Sequence, residues 1–244
     1  MPKNYREVDF KIAGKNIKIA GMARPGFESQ KPEKVFQFLS KNDYTTIISL
    51  QPNEVDKQLA GKCHPPIEYI EQQVKDFTSP SIEHFEAIYD RIKIGDSNPN
   101  EKIVIYCGEG FGRTGTVLAA LKLKELMQAI SMNQALIDEK LTSAIKLGKH
   151  AEKAGLFQCA PMLAKAIKAI RKHPESSDSV ENEKQVRQLQ QYQTYLIQQL
   201  NAERYKKDAL LIQDAYRKTP EKFSLDVLKK MLHAKPQVIL MGLV

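Results

Sequence analysis

The apolar run Ile103-Val104-Ile105-Tyr106 leads directly into Cys107-Gly108-Glu109-Gly110-Phe111-Gly112-Arg113-Thr114-Gly115, and a helical apolar pattern continues from Thr114 towards Met127. The run is short and β-branched, which reads as a buried strand. The glycines at 108, 110 and 112 permit a curve tight enough for successive backbone N–H groups to face one point. A helix starting there adds its own unpaired N–H groups at the same place. Strand, loop and helix in this order require a sheet with helices packed on it, and the rest of the chain has to supply them.

Upstream residues do so. Residues 16–20 alternate polar and apolar before Arg24-Pro25-Gly26 breaks the pattern, and 45–50 and 67–74 are further extended candidates. Pro32 opens a helix with Val35, Phe36 and Leu39 on its apolar face, and Ile82, Phe85, Ile88, Tyr89 and Ile92 recur at helical spacing. Beyond residue 128 every periodic segment reads as helix: 132–147, Pro161–Ile170, 181 to about 217, and 225–232. The expected fold class is α/β, a central mostly parallel sheet flanked by helices, with a helical insertion and a C-terminal helical extension. The expected boundaries are a catalytic domain over 1–190, containing an insertion at about 130–160, and an extension over 191–244.

Charge divides the chain unevenly. Of 37 Lys+Arg and 29 Asp+Glu, residues 1–128 hold 18 and 17, so the positive excess lies in the second half. That half is suited to an anionic membrane or a protein partner. Trp is absent and no basic run is interleaved with aromatics, so no nucleic-acid partner is expected. No apolar run approaches the roughly 20 residues of a spanning helix, and the first residues lack a signal-type apolar stretch. Cys63, Cys107 and Cys159 are odd in number and widely spaced, which excludes a disulfide framework and favours a reducing, cytoplasmic compartment, in the protein's own cell or another's. The five histidines show no metal-ligand spacing, so neither metal nor cofactor is expected.

Each residue of the loop has a job if the target is a phosphate monoester. Gly108, Glu109, Gly110, Phe111 and Gly112 offer their amides as a nest for a tetrahedral anion. Arg113 supplies a planar fork for two phosphate oxygens. Cys107 lies where the same amides and the helix dipole favour thiolate over thiol. Thr114 can donate its hydroxyl to that sulfur and ease its departure.

Cys-x5-Arg-Thr-Gly after an apolar strand resembles the signature of cysteine-dependent protein phosphatases, and Gly110–Thr116 looks like the small atypical dual-specificity phosphatases. The resemblance covers 15–128 and resumes over 165–190, with Arg24-Pro25, Ile48-Ser49-Leu50 and the Pro174…Glu181-Asn182-Glu183-Lys184 stretch as further landmarks. It implies a general acid on a loop upstream, and Asp76 of Val74-Lys75-Asp76-Phe77-Thr78-Ser79-Pro80 stands 31 positions before Cys107. It also implies a covalent route: Cys107 attacks phosphorus, Asp76 protonates the leaving oxygen, then Asp76 activates water against the phosphocysteine. The implied substrates are phosphorylated proteins, carrying phosphotyrosine and also phosphoserine or phosphothreonine.

The chain departs from the family pattern in several places. Tyr106 replaces the usual His before the nucleophile. Glu109 puts a carboxylate on the rim where phosphoinositide-directed branches carry Lys or Arg, which favours phosphoproteins over polyphosphates; a phosphoinositide phosphatase and a phospho-dependent binding module are the alternatives. Asn182 stands where a water-orienting Gln often occurs. The 58 residues between Gly115 and Pro174 exceed the roughly 22–36 that two helices and a connection need, hence the insertion. Lys3-Asn4-Tyr5-Arg6 resembles in composition the Lys-Asn-Arg-Tyr loop that deepens the pocket of strictly tyrosine-specific phosphatases, but its order differs and it reads as coincidence. Cys63 reads as a buried loop cysteine.

Overall fold

The structure, a computed structural model, describes residues 1–94, 101–131, 161–172 and 177–218. Nearly all of the insertion expected at about 130–160, the helix expected over 225–232, and Cys159 lie outside these residues. The chain divides into two compact units, Met1–Gln193 and Thr194–Val244.

The first unit is built on a five-stranded sheet in the order β1-β2-β5-β3-β4. The strands are β1 (Arg6–Ile12), β2 (Lys15–Ala23), β3 (Thr46–Ser49), β4 (Glu68–Glu71) and β5 (Ile103–Cys107). β1 and β2 form an antiparallel hairpin, and the remaining pairings are parallel. β1 is not among the extended segments expected from the sequence. Its residues alternate strictly, with Arg6, Val8, Phe10 and Ile12 buried and Glu7, Asp9 and Lys11 exposed, the period-2 pattern of a half-buried antiparallel strand. In contrast β3 and β5 are buried at every position, as strands covered on both faces must be.

Helices follow the parallel strands: α1 (Pro32–Lys41), α2 (Glu54–Gly61), α3 (Ile82–Ile94) and α4 (Gly112–Ser131). Val35, Phe36 and Leu39 of α1 are buried, and they join Ala20, Met22, Ile47, Val104 and Tyr106 in one core cluster. α4 buries Val117, Leu118, Leu121 and Leu123, and α5 (Pro161–Ile170) packs on it through Leu163, Ala166, Ile167 and Ile170. α2 was not foreseen; Asn53 caps it, accepting from Asp56 N at 2.9 Å. The last described helix, α6 (Glu183–Lys218), buries Val186, Leu189 and Tyr192 within the first unit. The second unit is described over the helical residues 194–218. No helix among the described residues is long and apolar enough to cross a membrane.

Register brings the strand ends together. Ala23 at the end of β2 pairs with Cys107 at the end of β5, and Ser49 at the end of β3 pairs with Tyr106. The loops that follow β2, β3, β4 and β5 therefore leave from one edge, the carboxyl end of the parallel strands, where open α/β sheets form their ligand crevices.

Candidate active site

The loop after β5 is held in a shape that leaves its amides free to converge. Three of its carbonyls are held by donors from outside the loop. Gly108 O accepts from Arg24 N at 3.0 Å, Glu109 O from Asn4 Nδ2 at 2.8 Å, and Gly110 O from Arg6 Nη2 at 2.7 Å. Phe111 O accepts from Gly115 N at 2.8 Å and Gly112 O from Thr116 Oγ1 at 2.7 Å, which opens α4. Gly110 has φ +87°, and a methyl group there would stand 2.4 Å from the Met22 carbonyl carbon, so the residue type is dictated twice over. On the inner side Gly110 N donates to Cys107 Sγ at 3.3 Å, and Cys107 is buried.

Arg113 is buried on the first turn of α4. Its Nη1 donates to Val74 O at 2.9 Å and its Nη2 to Gln51 Oε1 at 3.1 Å, while Asp76 Oδ1 lies 2.8 Å from the same Nη2. Asp76 reaches this place because strand-like pairing continues past β4: Gln72 N donates to Ser49 O and Val74 N to Leu50 O. A tight turn follows, with Thr78 Oγ1 donating to Lys75 O at 2.6 Å and Phe77 at φ +58° and 89% exposed. The loop with its arginine and the upstream Asp76, separate in sequence, meet at one edge. Thr114 is buried, and its Oγ1 has no hydrogen-bond partner among the described residues.

Residues 20–125 match the family model described as Tc-R-P, polymorphic toxin system, DSP-PTPase phosphatase. Residues 20–125 are thus a phosphatase domain of the dual-specificity type. The phosphatase domain's fold is shared with kinase associated phosphatase, solved with its catalytic-site cysteine changed to serine, at 16% identity and a TM-score of 0.52, covering 80% of this chain and 97% of that one. Similarity extends to the active form of Tk-PTP, at 18% identity and a TM-score of 0.45 over 72% of this chain and 91% of that one. It also extends to the Yvh1 phosphatase domain from Chaetomium thermophilum, at 14% identity and a TM-score of 0.45 over 75% and 94%.

Tyr106, directly before Cys107, is tied to a buried polar network. Tyr106 OH donates to Asp56 Oδ2 at 2.7 Å and lies 3.0 Å from Tyr69 OH, and Asn53 Nδ2 donates to the same Asp56 oxygen at 2.7 Å. Burial raises Asp56 above the usual Asp value, against the opposing pull of the Tyr106 and Asn53 hydrogen bonds and the Arg24 charge. Burial, then the Asp56 charge, push the Tyr106 phenol far above its ordinary value. Tyr106 stands out in the sequence as a departure, but nothing there marks its partner 50 residues earlier.

Asn182 is the N-cap of α6. Its Oδ1 accepts from Gln185 N at 3.1 Å, while Gln185 Oε1 accepts from Glu181 N at 2.7 Å. This near-reciprocal capping arrangement commits the Asn182 carbonyl oxygen to the helix end. The side chains of that segment which reach the loop after β5 are its neighbours: a methyl group on Gly112 would stand 2.3 Å from Glu181 Oε2 and 2.6 Å from Gln185 Nε2. The Asn-x-x-Gln spacing was the signal available in the sequence. Burial first, then the charges of Glu109 and Asp178, raise Glu181 above its ordinary value, with Arg113 opposing. Cys63, expected buried, is half-buried just after α2, with its thiol donating to Leu59 O at 3.4 Å. Among the described residues no group of three or more His, Cys, Asp or Glu could hold a metal ion.

Proposed function

We propose that this phosphatase hydrolyses phosphotyrosine, and phosphoserine or phosphothreonine, in proteins through a phosphocysteine on Cys107. The observation that carries the reading is the Asp76–Arg113–Cys107 arrangement: a buried thiol touched by a loop amide, with the arginine of the same loop 2.8 Å from the upstream carboxylate.

In this reading the amides of Gly108 to Arg113 and the Arg113 guanidinium hold the three non-bridging oxygens. The Cys107 thiolate attacks phosphorus in line, the bond to the leaving oxygen breaks, and Asp76 gives that oxygen its proton. Asp76, now a carboxylate, takes a proton from water as water displaces sulfur. The Thr114 hydroxyl, uncommitted among the described residues, donates to the departing thiolate. Gln185 Nε2, on the Gly112 side of the loop, suits the water-orienting role better than Asn182.

Carboxylates at Glu109 and Glu181 flank this loop and repel further negative charge, which supports substrates with a single phosphate over polyphosphate head groups. The polymorphic-toxin description of the matching family supports action in the cytoplasm of a recipient cell. The test is a panel of phosphotyrosine peptide, phosphothreonine peptide and phosphoinositide, run with the wild type and Cys107→Ser. Turnover of the peptides by the wild type alone is expected. Preference for the phosphoinositide, or undiminished turnover by Cys107→Ser, would sink the reading.

A further inference from the structure

We propose that Asn4 and Arg6 are positioning residues for the phosphate cradle, turning two of its peptide groups from outside so that the N–H groups face the anion. The proposal rests on the loop being a phosphate site. A trans peptide is planar, with C=O and N–H pointing in opposite directions. Whatever holds the carbonyl of one residue outward therefore aims the N–H of the next residue inward. Asn4 Nδ2 holds Glu109 O at 2.8 Å, and the N–H of that same peptide, Gly110 N, points to Cys107 Sγ at 3.3 Å. Arg6 Nη2 holds Gly110 O at 2.7 Å, which turns the Phe111 N–H the same way.

Arg6 is 1% exposed, and its fork ties three parts together. Nη1 donates to Asn4 O at 3.0 Å and so fixes the backbone that carries the other brace. Nη2 also reaches Ser179 Oγ at 3.2 Å, and Arg171 in turn donates to Ser179 O and Val180 O. The segment that brings Glu181 and Gln185 against Gly112 is thus joined to the cradle through Arg6. The Lys3–Arg6 stretch, which reads as coincidence in the sequence, contacts the loop after all. It acts from behind the loop, on its carbonyls, and β1 places it there: Arg6 pairs with Gly21, two residues before the Ala23 that lies beside Cys107.

The test uses the full chain with Asn4→Gly, Arg6→Lys and the double variant. Asn4 has φ +53°, so glycine removes the amide without straining the backbone. Lysine keeps the charge but cannot span the same acceptors. The readouts are inhibition by inorganic phosphate, the pH midpoint of Cys107 alkylation, and thermal melting. Each single variant is expected to bind phosphate about tenfold more weakly, the size of one lost hydrogen bond to a charged network. The alkylation midpoint should move to higher pH, because the N–H facing the sulfur is no longer held. The two effects should combine less than additively, since Arg6 also holds Asn4. Folded variants with wild-type phosphate affinity and an unmoved midpoint would overturn the proposal. If Arg6→Lys does not fold, Asn4→Gly decides alone. A wild type that neither binds phosphate nor hydrolyses an aryl phosphate would instead remove the parent reading.

Discussion

Asp76 Oδ1 and Arg113 Nη2 are 2.8 Å apart, with the arginine side chain 8% exposed and the carboxylate 57% exposed. The general acid of the proposed reaction rests on the residue that would bind the phosphate. Substrate must displace it from Arg113 and leave it near the leaving oxygen. Asp76→Ala is therefore expected to lower turnover of alkyl phosphates by about 10²–10³-fold. An aryl phosphate with a very good leaving group should lose much less. The same variant should bind inorganic phosphate slightly tighter, by up to about fivefold, because an exposed ion pair competes only weakly. Equal losses on both substrates would argue against Asp76 as the acid.

Thr114→Val tests the second step. The Thr114 hydroxyl has no partner among the described residues, so its removal should leave the melting temperature close to that of wild type. If it assists departure of the sulfur, steady-state turnover should fall about tenfold and stopped-flow traces should show a burst of the aryl alcohol. Absence of a burst together with normal turnover would remove Thr114 from the mechanism.

Gly110→Ala and Gly14→Ala form a matched pair. Both glycines have strongly positive φ, +87° and +86°, but nothing lies within 4 Å of a methyl group at Gly14. Gly14→Ala should cost only the backbone preference, about 1 kcal/mol. Gly110→Ala adds a collision with the Met22 backbone and should cost about 3 kcal/mol or more in chemical denaturation. Similar losses in the two variants would mean that the loop is not held against β2 as described.

Asp56 gives stability a pH dependence of known sign. Its folded value lies above the ordinary 3.8, so the folded state holds the proton more tightly than the unfolded state. The stabilisation is fully present below the unfolded value and is lost as pH rises through the folded one. The melting temperature of Asp56→Asn relative to wild type should therefore rise as the pH is raised above about 4. A flat or falling difference would contradict the burial of this carboxyl. Tyr106→Phe, which withdraws a donor from the same buried acceptor, should cost about 1–3 kcal/mol.

Much of the fold was legible because burial leaves a periodic trace. Ile103–Cys107 had to be a covered strand, and Val35, Phe36 and Leu39 had to face a core. β1 was equally legible through its alternation and was overlooked. α2 carries a weaker pattern, and its start depends on the Asn53 cap. The candidate site's loop was legible because Cys107, the glycines and Arg113 lie within seven residues, so a local turn brings them together.

What the sequence by itself determined is this local constellation and the type of sheet needed to present it. What only the tertiary structure decided is everything joined across β-strand register. The sheet order puts β5 between β2 and β3, which places Asn4, Arg6 and Arg24 on one side of the loop, and Gln51, Val74 and Asp76 on the other. It also sets Asp56 beside Tyr106. These are single polar contacts between residues far apart in the chain, and they leave no periodicity to read. A hydrogen bond depends on where two atoms lie in space, and that is known only once the strands have been put in order.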